Sequence, residues 1–302
     1  MRDIFDRLPN PEAGPVAWRS TSNHNRMMEL AGDARPAASD EVELAYYGSS
    51  AFRITSPKGL TVMIDPWRNH PMRTWDWYLA DMPMTPVDIG VSTHAHFDHD
   101  GLNRLDAHVL LDRLIGTYSF LDVTITGIPD KHAVSDGFGS YDRNKVHREL
   151  NGVVIDPPNN PRSWDNCLIV VEAGGVRILH WGDNRFDPPE AVWRQLGRID
   201  IALLPIDGSE HVMSYAMTEA IIARLNPRIV VPHHYYIWDL TQRASTLFTA
   251  DAWVDRQPRA QRLAGPAARY TANGLAGKET RVDYFGEHVA FDKLAWRKGE
   301  LP

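Results

Sequence analysis

The chain has 302 residues, 32 Lys and Arg against 39 Asp and Glu, a formal net charge of -7, 13 His and 1 Cys. That length buries about 75% of the unfolded surface, and the single Cys167 excludes an internal disulfide framework and a thiolate zinc site. The acidic balance counts against a nucleic-acid binder that works by neutralising phosphates. The His content is what stands out, since clustered His usually serves a metal or a proton.

Residues 1–40 are polar and rich in Pro, Asn, Asp and Arg, and read as an irregular arm with one short helix around Arg26–Ala31. Strands are expected at Val42–Tyr47, Ala51–Thr55 and Leu60–Ile64, the last two separated by the turn Pro57-Lys58-Gly59. Val87–Ser92 is an apolar run of buried-strand type that ends abruptly in Thr93-His94-Ala95-His96-Phe97-Asp98-His99. Val123–Ile128 is strand-like and leads to Pro129-Asp130-Lys131-His132. Cys167–Glu172 and Val176–His180 flank Ala173-Gly174-Gly175, a hairpin signal. A helix follows Pro189 and stops near Gly197; Asp200–Leu204 is another buried strand. Ser214–Leu225 reads as an amphipathic helix in which Ala216, Ala220, Ile221 and Leu225 share a face, stopped by Asn226-Pro227. Arg228–Val231 is a strand running into His233-His234. A helix near Thr249–Arg256 and a terminal hairpin around Tyr284–Glu287 complete the chain.

Hairpins followed by strand–helix units, twice over, suggest two mixed sheets packed face to face with helices outside. Sites in such layers lie beyond strand ends. No segment reaches the roughly 18 apolar residues of a membrane span, so none is expected. The charged N-terminus, Met1–Arg7, lacks a continuous apolar stretch and does not read as a secretory signal, which makes a cytoplasmic location the expectation.

The sharpest signal is His94-x-His96-x-Asp98-His99. Alternate residues of an extended chain point to one side, so His94 and His96 can present two imidazoles to one ion. Asp98 and His99 lie where the chain turns and can reach a second ion. Further candidate ligands stand at the ends of other apolar runs: His132, His180, Asp183, His233 and His234.

These motifs resemble the metallo-β-lactamase superfamily over about residues 42–240. Within it, the chain looks most like the L-ascorbate-6-phosphate lactonase-like branch. The resemblance rests on Gly48-Ser49-Ser50-Ala51-Phe52, Ile64-Asp65-Pro66-Trp67, Gly182-Asp183-Asn184 and Pro232-His233-His234-Tyr235, besides the His-rich turn. It implies an α/β fold, the four-layer αβ/βα sandwich, with a catalytic domain at 41–240, the arm at 1–40, and a C-terminal extension at 241–302 packing on the same domain. It also implies a hydrolase with two divalent metal ions: Zn2+ first, with Mn2+ or Fe2+ as alternatives for an all-N/O ligand set. His94, His96 and His132 would hold the first ion, and Asp98, His99 and His234 the second. Asp183 would bridge them, and Asp65 would orient a ligand. His147 is a rival to His132, and His233 is read as a neighbour of the ligands or a substrate contact. A hydroxide between the ions would attack a lactone, ester, amide or phosphoester of a small molecule. Asp183 and Asp98 would serve catalysis, and His211 would meet the substrate or leaving group unless it is only an exposed loop His.

The loop Trp67–Tyr78 follows the Asp65-Pro66 strand end. It reads equally as a pocket wall for an apolar group, as a loop anchored by its Trp residues, or as a subunit contact that would make a homo-oligomer. Trp67, Arg68, His70, Asn184 and Tyr235 are counted among substrate-side candidates, with Arg68, Arg73 and His70 able to hold a phosphate or carboxylate. Tyr236 and Trp238 would line the other side. Cys167 reads as a packed small hydrophobe. Rival functions are a phosphodiesterase, phospholipase D-like enzyme or nuclease, a hydrolytic dehalogenase, a di-iron oxygen reductase, and a scaffold without activity. His96 stands where the reductase pattern has Glu, and the negative charge disfavours the nuclease.

Overall fold

The long apolar runs become strands buried on both faces, and their pairing decides where the polar strand ends meet. The structure, a computed structural model, describes residues 37, 39–70, 76–133, 166–242 and 247–301. The short helix expected at Arg26–Ala31, His147 and the middle of the Trp loop, 71–75, lie outside the described residues.

One sheet has six strands: β1 (Val42–Tyr46), β2 (Phe52–Thr55), β3 (Thr61–Ile64), β4 (Thr85–Ser92), β5 (Leu105–Asp112) and β13 (Ala267–Tyr270), in the order β13-β1-β2-β3-β4-β5. The other has eight: β6 (Gly116–Phe120), β7 (Val123–Asp130), β8 (Asn166–Ala173), β9 (Val176–His180), β10 (Ile201–Pro205), β11 (Ile229–His233), β12 (Ala260–Arg262) and β14 (Arg281–Tyr284), in the order β12-β14-β11-β10-β9-β8-β7-β6. Both sheets mix antiparallel and parallel pairs, as expected. β10 and β11 are buried along their whole length, the pattern of parallel strands covered on both faces. Among the described residues the α-helices are few: α1 (Glu190–Leu196), α2 (Tyr215–Leu225), α3 (Asp251–Val254), α4 (Ala272–Leu275) and α5 (Lys293–Arg297).

Parallel register brings the functional ends together. Ile64 at the end of β3 pairs with Val91 near the end of β4, so Asp65 and Thr93 emerge side by side. In the second sheet His180 of β9 pairs with Leu203 of β10, and Pro205 pairs with His233 of β11. The antiparallel β7 ends at Asp130 opposite Asn166, the first residue of β8. The two sheets are tied together at this edge, by Cys167 N–H to the Thr93 carbonyl and by His234 N–H to the Ser49 carbonyl, each at 2.9 Å.

Two expectations are corrected. The region around Tyr284–Glu287 is not a hairpin: β14 pairs in parallel with β11 and β12, and the chain after it turns into α5. An apolar run flanking a Gly looks like a hairpin locally, but an interior strand edge was open to it. In α2 the buried face is carried by Thr218 and Ile221, with Ala216 and Ala220 exposed. Ala is a good helix former wherever it falls, so its position is weak evidence for which face is buried.

Candidate metal centre

Three strand ends and the turn after β4 deliver seven side chains to one place. His94, His96, His132 and Asp183 form one group whose ligand atoms all lie within 4.8 Å of one another, and Asp98, His99 and His234 form a second. Asp183 faces both. Its Oδ2 lies 3.6 Å from His132 Nε2, 4.0 Å from His94 Nε2 and 3.4 Å from His234 Nε2, and its Oδ1 lies 3.5 Å from His99 Nε2. Asp98 Oδ2 is 3.4 Å from His234 Nε2 and 3.7 Å from His99 Nε2.

In His132, His99 and His94 the outward ring nitrogen is occupied, which leaves the inward one as a lone pair. His132 Nδ1–H donates to the Ala133 carbonyl at 2.7 Å. His99 Nδ1–H donates to Asp65 Oδ2 at 2.7 Å. Asp65 also accepts the Thr93 backbone N–H and the Thr93 hydroxyl, each at 2.7 Å. With its proton committed to Asp65, the Thr93 oxygen accepts from His94 Nδ1, 3.0 Å away. His234 Nδ1 faces Asp207 Oδ2 at 3.9 Å. Imidazoles tied from behind by a carboxylate or carbonyl, with the second nitrogen presented forward, are the arrangement that holds metal ligands.

Local backbone is shaped for this. Ser49, Asp65 and His234 adopt positive φ of 53°, 51° and 65°, a conformation costing a non-glycine residue of the order of 1 kcal/mol or more. Gly182 sits at φ +55°, where a Cβ would come within 2.7 Å of the Thr93 hydroxyl oxygen, so only glycine lets the Asp183 turn approach the turn after β4.

The electrostatics call for positive charge. Burial resists ionising Asp98 and Asp183, yet the surrounding imidazoles hold both carboxyls below the usual carboxylate range. Burial likewise opposes protonation of His99, but Asp183, Asp98 and Asp65 push it up to about 9. His96 falls to about 4 through burial and the nearby His132. His96 Nε2, His99 Nε2 and Asp183 Oδ1 are buried without a hydrogen-bond partner among the described residues. Buried acceptors left unmatched are rare and call for a reason. A donor set of imidazole and carboxylate fits zinc, manganese or iron, and the seven residues fit a divalent cation at each group.

The remaining candidates sit at varying distance from this cluster. His211 stacks on His234, rings 5.4 Å apart and 10° from parallel, and its backbone N–H faces Asp207. His233 is buried, with Nδ1 3.0 Å from the Ser50 hydroxyl and its ring 4.6 Å from that of His180. Asn184 lies behind the cluster, donating to Asp130 and accepting from Asn166. Tyr235 turns its hydroxyl to the Gly286 carbonyl. Trp67 is fully buried, donates to the Tyr47 carbonyl and stacks on Tyr78 at 4.2 Å. Arg68 pairs with Asp100, and His70 is half-buried beyond it. Among the described part of the loop, then, Trp67, Trp77 and Tyr78 pack inward. Cys167 is buried in β8.

Asp207, Thr93 and Asp130 were not singled out from the sequence. Asp207 and Asp130 each close an apolar strand with a carboxylate, as Asp65 does, and that shared signal could have found them. Burial opposes ionisation of Asp207, and His234 and His211 hold its carboxyl low.

Two mixed sheets with a His/Asp cluster along their common edge define the αβ/βα class of metal-dependent hydrolases. The beta-lactamase superfamily domain matches residues 43–234. A UPF0173 metal-dependent hydrolase of Thermodesulfovibrio yellowstonii is 26% identical over 213 residues, covering 64% of this chain and 78% of the relative. One from Thermococcus onnurineus is 29% identical over 211 residues, covering 65% and 86%. The fold is shared with a Thermotoga maritima protein described as a Zn-dependent hydrolase of the metallo-β-lactamase superfamily, at a TM-score of 0.55 and 18% identity, covering 80% of this chain and 98% of the other. The chain belongs to the metallo-β-lactamase superfamily and stands with its metal-dependent hydrolases. Among the described residues no helix is long and apolar enough to cross a membrane.

Proposed function

We propose that the chain hydrolyses a small molecule (a lactone, ester, amide or phosphoester) at a centre of two divalent cations, as the L-ascorbate-6-phosphate lactonase-like branch does by resemblance. The observation that carries this reading is Asp183, whose two carboxylate oxygens face the two groups of ligand atoms. His94, His96, His132 and Asp183 would hold one cation, and Asp98, His99, His234 and Asp183 the other, with zinc the first choice and manganese or iron as alternatives. When bound, such ions supply a water acidic enough to act as a nucleophile near neutral pH and polarise the bond under attack.

The chain's own residues do the rest. Hydrolysis adds OH to the acyl or phosphoryl centre and H to the departing oxygen or nitrogen. Asp98 and Asp183 stay ionised in their ring of imidazoles, so each can accept a hydrogen bond from the attacking water and orient it, while the proton that water gives up leaves on the departing atom. His211, stacked on His234 and half-buried, stands where it can pass a proton to the leaving atom. Asp65 and Asp207 keep His99 and His234 oriented.

The test is a hydrolase panel of lactones, aryl esters, amides, phosphodiesters and aryl halides on zinc- and manganese-loaded protein. Turnover in the first four classes, with close to two ions per chain, is expected. Asp183→Ala should fold, lose most of its metal and lose turnover. Full activity in that variant, or a loaded protein holding no metal, overturns the proposal. Turnover of aryl halides alone would favour dehalogenation.

A further inference from the structure

Among the described residues of the Trp-rich loop, Tyr78 is the one aromatic whose polar atom is both buried and unused. It is 1% exposed, and its hydroxyl has no hydrogen-bond partner among the described residues. The ring is clamped. Trp67 stacks on it at 4.2 Å, Trp77 meets it edge-on at 4.8 Å, and Phe97, which precedes Asp98, lies edge-on at 6.2 Å. A bridge from Tyr78 to Thr241 and the Asn69 carboxamide, which accepts the Tyr78 N–H at 2.9 Å, fix the backbone.

The ring contact with Phe97, the residue before Asp98, places Tyr78 beside the turn that carries the candidate ligands. Ser49 lies beside it without forming a bond of ordinary geometry, and the Ser49 carbonyl accepts the His234 N–H at 2.9 Å. Burial raises the phenol well above its usual range, and the acids that raise it further are Asp98 and Asp183. The phenol therefore stays protonated, a fixed O–H donor among groups that are otherwise acceptors.

A buried hydroxyl with no partner costs stability, and phenylalanine would fill the same space without that cost. A residue kept against stability at a reactive centre is the signature of a functional group.

We propose that the Tyr78 hydroxyl is a catalytic hydrogen-bond donor to the substrate oxygen on which negative charge builds during hydrolysis. This rests on the function proposed above. The phenol keeps its proton throughout; it stabilises the oxyanion and takes no part in bond making. Substrates with a carbonyl or phosphoryl oxygen can use it, and aryl halides cannot.

Tyr78→Phe in the zinc-loaded full chain tests this, with inorganic phosphate as the oxyanion probe. Zinc content should match the unaltered protein, and the thermal midpoint should stay equal or rise. Calorimetry should show phosphate binding about tenfold weaker. On any ester or lactone turned over, kcat should fall about 10²-fold with KM within about threefold. Unchanged phosphate affinity and unchanged kcat at full zinc content overturn the proposal. So does a fall in zinc content with a lower midpoint, which would make Tyr78 structural. Absence of phosphate binding by the loaded, unaltered protein overturns it too. If the panel finds no substrate, the hydrolase reading fails by itself, while the phosphate titration still decides the role of Tyr78.

Discussion

Replacing Asp65 by Asn exchanges one oxygen for an NH2 group and should disable two of the proposed metal ligands. Asp65 is fully buried and accepts three hydrogen bonds of 2.7 Å, from the Thr93 N–H, the Thr93 hydroxyl and His99 Nδ1. In Asp65→Asn the oxygen can keep the Thr93 N–H, which leaves the NH2 group facing His99 and the Thr93 hydroxyl. Both must then become acceptors. His99 accepts at Nδ1 and moves its proton to Nε2, the nitrogen that faces Asp98 and Asp183. Thr93 accepts from Asn and so donates to His94 Nδ1, which moves that ring's proton to Nε2 as well. Loss of an outer hydrogen-bond partner typically costs about 10–100-fold in metal affinity or activity. Two rings affected together predict a loss of about 10³-fold, or about 4 kcal/mol. Competition against a chelator of known zinc affinity measures it, with denaturant unfolding as a check that the nearly isosteric variant folds. Zinc affinity within threefold of the unaltered protein would refute the tautomer chain.

The other expectations are simpler. Arg185→Met leaves the Asp130 carboxylate, whose side chain is wholly buried, without its cation; the loss should be about 3–5 kcal/mol by denaturant unfolding, with most of it recovered in the double variant with Asp130→Asn. Gly101→Ala would put a Cβ 2.7 Å from the Trp67 carbonyl and 2.9 Å from the Pro66 oxygen; about 3 kcal/mol of stability should go, and zinc affinity should fall as the turn carrying Asp98 and His99 is pushed away. Cys167 is 2% exposed and burial pushes its thiol up to about 11. At pH 8 only about one molecule in a thousand carries the thiolate, so a disulfide reagent should label the folded protein at least ~100-fold more slowly than the unfolded one, where the thiol titrates near 8.5. Since folding raises this pKa, the proton is held more tightly in the native state, and its contribution to stability is lost as pH climbs above about 8.5.

Sequence reached the site more easily than the sheets. His94, His96, Asp98 and His99 form a compact motif whose spacing carries its own chemistry, and Asp183 and His234 follow apolar strands that announce their ends. β5 and β6 were harder to see. β5 alternates buried and exposed residues and includes His108 and two Asp, and β6 exposes four of its five residues. Such strands are held by pairing with β4 and β7 rather than by apolar content. β12 and β13 are three and four residues long, and β13 pairs with β1, far away in sequence. The supporting carboxylates Asp130 and Asp207 carry only a weak signal: an Asp at a strand end is common, and the fold is needed to show that Asp207 faces His234 while Asp130 holds Asn184 and Arg185.

The hydrogen-bond chains explain why water alone cannot complete this centre. His132 and His99 spend their one ring proton outward, on the Ala133 carbonyl and Asp65, and His94 spends its own on Thr93. What remains facing inward, apart from the contact of His94 Nε2 with His96 Nδ1 at 3.0 Å, are nitrogen lone pairs and the oxygens of Asp98 and Asp183. A water molecule offers two O–H donors, and a pair of waters four, against a cluster composed almost wholly of acceptors. The unmatched acceptors would repel one another in a buried setting where such repulsion is poorly screened. Protonating His99 and His234, the direction in which the carboxylates draw them, relieves the imbalance only by giving up two ligands. A divalent cation in each group answers every lone pair at once. The strained turns at Ser49, Asp65 and His234 serve the same requirement: Asp65 ties His99 and Thr93 from behind, the Ser49 carbonyl holds the His234 N–H, and His234 itself faces Asp98 and Asp183.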